Sequence, residues 1–575
     1  MIQRPTPRLD ALQRQARSAD VVMNPTELGS ARLTRHSFSR SLIRSASSGR
    51  WKVTRRLWDM DSQGSGKAIY RVEAGGQLIE LILFSHVIAE EMRTDRVIAE
   101  DWDVTGALVE REITPEDMDI LAANVTRQEE GRADDLTLVW GRANRSERFF
   151  DYVVDRLAAG QQPDPSVMSD AAYIMRSTAF YGNGKWGLRD FDGLDPQGPL
   201  SVPFRAQILS AWLFREFSAD LVEHCAAAKS NSAVALSREW RRFLGLGNAT
   251  GLGLVPYAIR HPQVLDAWTA LRELPLANAM GQDWAPQSTE WTRVCALLER
   301  SIRFFDQKRS FSTEPYLTGP EIATGLAQLL AVSLEYKESG TINGQSIAEP
   351  ARELHALAAH LSIEVRQIVD SVLIEIDSSL DSEIESMLMC VDRTRVQAGM
   401  SIGELRQIFT KEYAWALAMD FEDPRHTAKF WFYSASSGEP RRGVRGTDRG
   451  ERTEHPVGIA RDIKSAYADI VATDSNTSVG EFLVTHPEHW GIIERVQSVA
   501  EYPYSEARVN ALGEDYLPLD LQRFQLAVYG MENFNPQSTD WLRVTLFSGA
   551  PTVDDISEGV IEDDWLFLPR PELSQ

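Results

Sequence analysis

Three stretches of the chain gather residue types that can do chemistry. The first, 173–187, holds Arg176, Tyr181, Asn183 and Lys185 around Gly182, Gly184 and Gly187. Glycines let a backbone turn tightly and let a ligand approach it. A lysine held among aromatic side chains can act as a base or bind a carboxylate. The second stretch spaces Glu216, Asp220 and His224 four residues apart, on one face of an expected helix. A carboxylate one turn from an imidazole can fix its tautomer and raise its basicity, as a general base requires. The same three could also ligate a metal, or form a solvent face paired to Arg215 or Arg205. The third stretch places Asn248 and Thr250 among Gly245, Gly247, Gly251 and Gly253, with Arg260 and His261 close behind. Such a backbone-rich loop suits an oxyanion or a carboxylate, or else is a helix C-cap and turn.

Known phosphate-binding patterns do not fit these stretches. Gly184-Lys185 is followed by Trp186, so a Walker loop is missing, and Gly66-Lys67 fails likewise. Counting GxGxxG from Gly245 puts Thr250 at the third glycine, after a helical run, which weakens a dinucleotide fingerprint. No cofactor motif is visible, which favours elimination or hydrolysis over hydride transfer. The expectation is a cofactor-independent lyase acting on a small carboxylate-bearing metabolite. Lys185, His224, Asp220 and Tyr181 are its catalytic candidates. Arg176, Asn183, Asn248, Thr250, Arg260 and His261 are its substrate-binding candidates. No metal ligand is assigned: His355 and His360 are five apart, and a metal pair of His486 and His489, in a turn-like segment, is read as unsupported by nearby ligands. An oxidoreductase or metalloenzyme with a non-standard site, a hydrolase, and a non-catalytic binding or scaffold protein are the alternatives.

Bulk properties narrow the class. The 575 residues carry a net charge of −23, unevenly spread. Residues 1–56 hold twelve basic and three acidic groups, leaving 48 and 80 for the rest. The acidic body disfavours nucleic acid and anionic membrane surfaces as partners. No stretch reaches the roughly 20 apolar residues of a membrane helix. Cys225, Cys295 and Cys390 are the cysteines, an odd count without metal-ribbon spacing; with no signal peptide evident, a cytoplasmic protein is expected. A homo-oligomer is expected from the habits of soluble enzymes.

The elements that must position these residues are expected to be mainly α with α+β flanks. Residues 1–50 read as a basic Arg/Ser-rich arm, a flexible extension lying on the surface or on a partner. Residues 51–147 read as a small α+β domain whose Gly-bounded apolar runs form hairpins or a β-meander. Residues 148–433 read as the helical core domain, with Leu354, Leu357, Leu361, Val365, Ile368, Val372 and Ile376 at helical spacing and a capped helix start at Thr318 to Glu321. Residues 434–458 read as an Arg/Gly-rich loop or lid, and 459–575 as an α+β region. Cys225 points away from His224 around the helix, so packing is its expected role. One echo recurs: 286–294 and 536–544 match in seven of nine positions, which we read as a local packing motif.

Overall fold

The computed structural model describes residues 7–89, 91, 101–124, 136–168, 172–182, 198–202, 204–250, 262–307, 317–389, 396–423, 431–433, 440–442, 460–505, 518–531, 533–536, 542–559, 565–568 and 571. The expected meander is present. β1 (Lys52–Met60), β2 (Gly66–Ala74), β3 (Gln77–Ser85), β4 (Val104–Val109) and β5 (Thr137–Arg145) pair antiparallel in chain order. β6 (Tyr173–Gly182) continues that pattern, and β7 (Gly245–Thr250) then lies parallel to it. Two short hairpins, β8/β9 (Thr341–Ile342 with Gln345–Ser346) and β10/β11 (Trp431–Tyr433 with Pro440–Arg442), stand apart. β13 (Leu542–Leu546) and β12 (Asn533–Pro536) close the far edge, giving the order β1-β2-β3-β4-β5-β6-β7-β13-β12.

This sheet draws strands from 51–147, from 148–433 and from 459–575, so it does not respect the segments suggested by composition. It also corrects the reading of 245–250 as a loop. Those residues have little intrinsic strand preference, and their neighbours decide. A Cβ on Gly245 would meet the Leu546 carbonyl oxygen at 2.3 Å, and one on Gly247 the Tyr173 ring at 2.6 Å. Glycine lets the flanking strand and aromatic ring close in.

The parallel step needs a crossover, and the helix Arg205–Lys229 is the main part of it. Nineteen of its 25 residues are buried, which makes it a central helix rather than a surface one. Gly106 and Gly141 open the sheet for Phe214, whose ring would lie 2.9 Å from a Cβ at either position. Strands at both ends of the β1–β7 run touch this helix. Trp58 of β1 packs against Phe217 with ring centroids 5.7 Å apart, while Arg215 donates to the Leu244 carbonyl, just before β7, at 2.9 Å. The sheet therefore curls around the long helix. Its outer face is covered by a smaller apolar cluster that joins Ile69, Ile82 and Trp140 to Ile113 and Leu121.

A second core is helical. Trp291, Leu298, Leu326, Leu354, Ile368 and Val372 bury together between the helices Thr289–Asp306, Gly319–Ser339, Pro350–Ala359 and Ile363–Glu375. The expected helix start is present: the Thr318 backbone N–H donates to Glu321 at 2.8 Å. The apolar series from Leu354 to Ile376 is split, however. Ser362 caps a new helix by accepting from the Val365 N–H at 3.1 Å, and Leu361 between the two helices is exposed.

The N-terminal arm is the largest departure from expectation. Residues 7–50 fold into helices Pro7–Gln15, Ala19–Val22, Pro25–Ser30 and Phe38–Ser48, with Met23, Leu42 and Ala46 fully buried. Three of its arginines are paired with acids far along the chain. Arg17 holds Glu273 at 2.7 Å and Asp370 at 3.1 Å, Arg35 holds Asp381 at 2.7 Å, and Arg40 pairs with Glu375. Although burial alone would raise it, Arg17 and His355 hold the Asp370 carboxyl down to about 2. The basic arm and the acidic body are complementary halves of one fold. Among the described residues no helix is long and apolar enough to cross a membrane.

Candidate functional site

The parallel pairing of β6 and β7 decides which candidates meet. Neighbouring parallel strands end side by side, so Gly182 and Thr250 lie at the same edge of the sheet. Asn183 and Lys185 follow the first strand by one and three residues; Arg260 and His261 follow the second by ten and eleven. All four lie outside the described residues, as do the side chains of Tyr181 and Thr250. Crevices beyond the carboxyl ends of parallel strands are the usual place for ligands in open α/β sheets.

Inside that edge two polar groups stand out. Ser177 pairs directly with Asn248 across β6 and β7. Ser177 is fully buried and Asn248 nearly so, and neither the Ser177 Oγ nor the Asn248 Oδ1 has a hydrogen-bond partner among the described residues. Asn248 shares its face of β7 with Leu246, and those two pair across to Val544 and Leu546 of β13. A carboxamide oxygen on so apolar a face loses about 1–3 kcal/mol of hydration unless something bonds to it. Arg176 is half-buried in the same strand, next to Ser177 and paired with Gly247. Asn248 and Arg176 were expected at the site. Ser177 was not assigned, and its signal is only visible once the strands are paired.

The His224 face sits elsewhere. Arg145 pairs with Met175 near the start of β6, and its guanidinium donates to the Gly64 carbonyl at 3.0 Å. Gly64 in turn packs on Leu221 and Cys225 of the long helix. His224 thus lies by the start of β6, roughly 20 Å along the strand from Gly182. Its ring is built into the packing. The Trp58 indole N–H donates to Nδ1 at 3.2 Å, and Nε2 donates to the Asp61 carbonyl at 2.8 Å. Asp220 accepts from the Tyr70 hydroxyl at 2.6 Å, Arg241 at 2.5 Å and Arg55 at 3.1 Å. Glu216 accepts from Arg215 at 2.9 Å, and burial pushes its carboxyl up. Each member of the series is committed to a different neighbour. The three form neither a base relay nor a shared metal site in this arrangement: Asp220 and His224 tie the helix to β1, β2 and the turn between them, and Glu216 faces Arg215 and the Val553 N–H. Cys225 beside them is buried, as expected.

Metal-type donors converge at a third place. Asp469, His486, Glu488 and His489 each bring one ligand atom within 4.8 Å of the other three. The two histidines are visible as a pair in the sequence, without a further ligand assigned to them. Asp469 arrives from the separate helix Ala460–Ala472. The lid expected at 434–458 lies outside the described residues apart from 440–442, which form β11. Comparison with family models, with curated proteins and with solved structures finds no match to this chain.

Proposed function

We propose that the chain is a cytoplasmic enzyme that binds a small carboxylate-bearing metabolite at the edge where β6 and β7 end and acts on it by general acid–base elimination. The observation that supports this is the paired Ser177 Oγ and Asn248 Oδ1, buried without a hydrogen-bond partner among the described residues, on the two strands that lead into the glycine-bearing segments. In this reading Arg176, with Arg260 or His261, neutralises the substrate carboxylate. Ser177, Asn248, Thr250 and Asn183 hydrogen-bond its oxygens, and Lys185 or Tyr181 moves the proton. His224 and Asp220 drop out of the chemistry because their polar atoms are engaged in packing. Free buried Cys225 and Cys295 accord with a reducing compartment. A homo-oligomer remains the expected assembly.

Ser177→Ala and Asn248→Ala test the reading. Each removes an orphan polar atom, so without ligand the melting temperature should hold or rise slightly. A thermal-shift panel of small mono- and dicarboxylates should give a stabilising ligand for the wild-type chain, and both variants should lose that shift. If no carboxylate shifts the wild type and both variants melt well below it, the two side chains are packing elements and the reading fails.

A further inference from the structure

The corner where three C-terminal helices meet carries its own chemistry. The helix Val479–Thr485 ends at His486, and Pro487 opens a single 3-10 turn, Pro487–His489, that leads into the helix Trp490–Glu501. A 3-10 turn has three residues per turn, so side chains three apart eclipse. His486 and His489 accordingly stack, with ring centroids 5.9 Å apart and planes 20° from parallel. Phe482, itself buried, backs both imidazoles at 4.7 Å and 6.1 Å, tilted 25° and 9°. The ring planes are thereby fixed before any ligand arrives.

Two carboxylates face the imidazole nitrogens from different elements. Asp469 Oδ2 lies 2.8 Å from His489 Nε2 and 3.9 Å from His486 Nδ1. Glu488 Oε1 lies 3.5 Å from His486 Nδ1 and 3.9 Å from His489 Nε2. Four ligands on a tetrahedral zinc ion at 2.0–2.1 Å stand about 3.3 Å apart, so these separations bracket the required edge. Asp469 and Glu488 are 42% and 60% exposed, which leaves them free to close the remaining few tenths of an ångström. Among the described residues neither carboxylate has a Lys or Arg within ion-pair distance; their only ion-pair partners are the two histidines. Two carboxylates and two imidazoles converge here with no Lys or Arg beside the carboxylates among the described residues, and a dication would complete the set.

We propose that Asp469, His486, Glu488 and His489 form a binding site for one divalent transition metal of the zinc class, which staples the helix Ala460–Ala472 to the turn between the next two helices. Two nitrogens and two carboxylate oxygens are a borderline donor set: they favour Zn²⁺ over Mg²⁺ and Ca²⁺, which demand more oxygen ligands. This site goes beyond the carboxylate reading of the β6/β7 edge and does not depend on it.

The test uses the full-length chain, stripped with a chelator and titrated with Co²⁺ and then Zn²⁺. The expected result is one Co²⁺ per chain with the intense visible absorption of tetrahedral cobalt, displaced by Zn²⁺ and indifferent to Mg²⁺ and Ca²⁺. His486→Gln, at a half-exposed position that keeps the fold, and Asp469→Asn should each weaken binding at least tenfold and abolish the tetrahedral bands. His86→Gln, at an exposed residue outside the cluster, should change neither. Weak octahedral cobalt absorption in the wild type overturns the proposal, and so does His486→Gln binding with unchanged affinity. In the latter case the metal sits adventitiously on other histidines.

Discussion

Residues 286–294 and 536–544 share seven of nine residues, yet the first leads into a helix and the described residues of the second, 536 and 542–544, lie in strands. In the first copy Ser288 caps a helix, accepting from the Trp291 N–H at 3.1 Å, and Trp291 and Val294 bury on its inner face. In the second, Pro536 ends β12 opposite Leu542, and in β13 the buried Val544 pairs with Phe534 of β12 on one side and Asn248 of β7 on the other. The residues on the C-terminal side of each copy differ. After Val294 come Cys295, Ala296, Leu297 and Leu298, which extend an apolar stripe at helical spacing and suit a helix. After Val544 come Thr545 and Leu546, which continue an alternation begun at Leu542 and suit a strand. The shared Arg and Val occur in a helix in the first copy and in a strand in the second. The flanks and the open edge of β7 choose between them.

Removing the anchor of the helical copy should have the largest effect. Trp291 is fully buried, donates its indole N–H to the Ser333 carbonyl at 3.0 Å, and meets Tyr336 edge-on at 4.9 Å. Trp291→Ala should destabilise the chain by about 3–5 kcal/mol, read as a fall in the urea midpoint. A loss under about 1 kcal/mol would mean that the helix, and with it the helical half of the contrast, does not rest on this residue.

The same contrast explains what could and could not be read from the chain. The meander was legible because Gly64 to Gly66 and Gly75-Gly76 punctuate apolar runs of strand length, and the helix start at Thr318 because its cap and Glu321 are adjacent. β6 and β7 were hidden, since Gly245 to Thr250 becomes a strand only through Ser177 on one side and Val544 on the other. The arm misled for a related reason. Arg35 and Arg40 find their acids 346 and 335 residues away, and no local pattern reports such a partner. Within the candidate site, Arg176 and Asn248 were legible as polar residues among glycines. Spacing placed Asp220 and His224 on one helix face, but their engagement with Tyr70, Trp58 and Asp61 depends on how the sheet curls. The metal-type cluster was legible only as the pair His486 and His489, since its Asp469 lies seventeen residues upstream of His486 on another helix.

A matched pair of substitutions sharpens the comparison at a shared position buried in both copies. Val294 and Val544 are 0% and 1% exposed. Truncation to alanine removes similar apolar volume from each, about 2 kcal/mol with the cavity included. Secondary-structure preference then acts with opposite sign. Alanine is the better helix former by about 0.5 kcal/mol and the poorer strand former by a comparable amount. Val544→Ala should therefore cost about 1 kcal/mol more than Val294→Ala in equilibrium unfolding. Equal losses would show that packing alone distinguishes the two copies and that local preference has no part in it.

The smallest expected effect isolates the cap. Ser288 Oγ satisfies one of the N–H groups that every helix start leaves without an intrahelical partner. Ser288→Ala should lose about 1 kcal/mol, and Ser288→Asp, which restores an acceptor next to the positive end of the helix dipole, should recover most of it. Ser538 occupies the equivalent position of the second copy, which leads into strand β13 at Leu542 and not into the helix that follows Ser288. Ser538→Asp should therefore bring no comparable gain over Ser538→Ala. If both serines gave the same Ala-to-Asp recovery, the cap would not be what separates the copies. The contrast would then rest on the flanking residues alone.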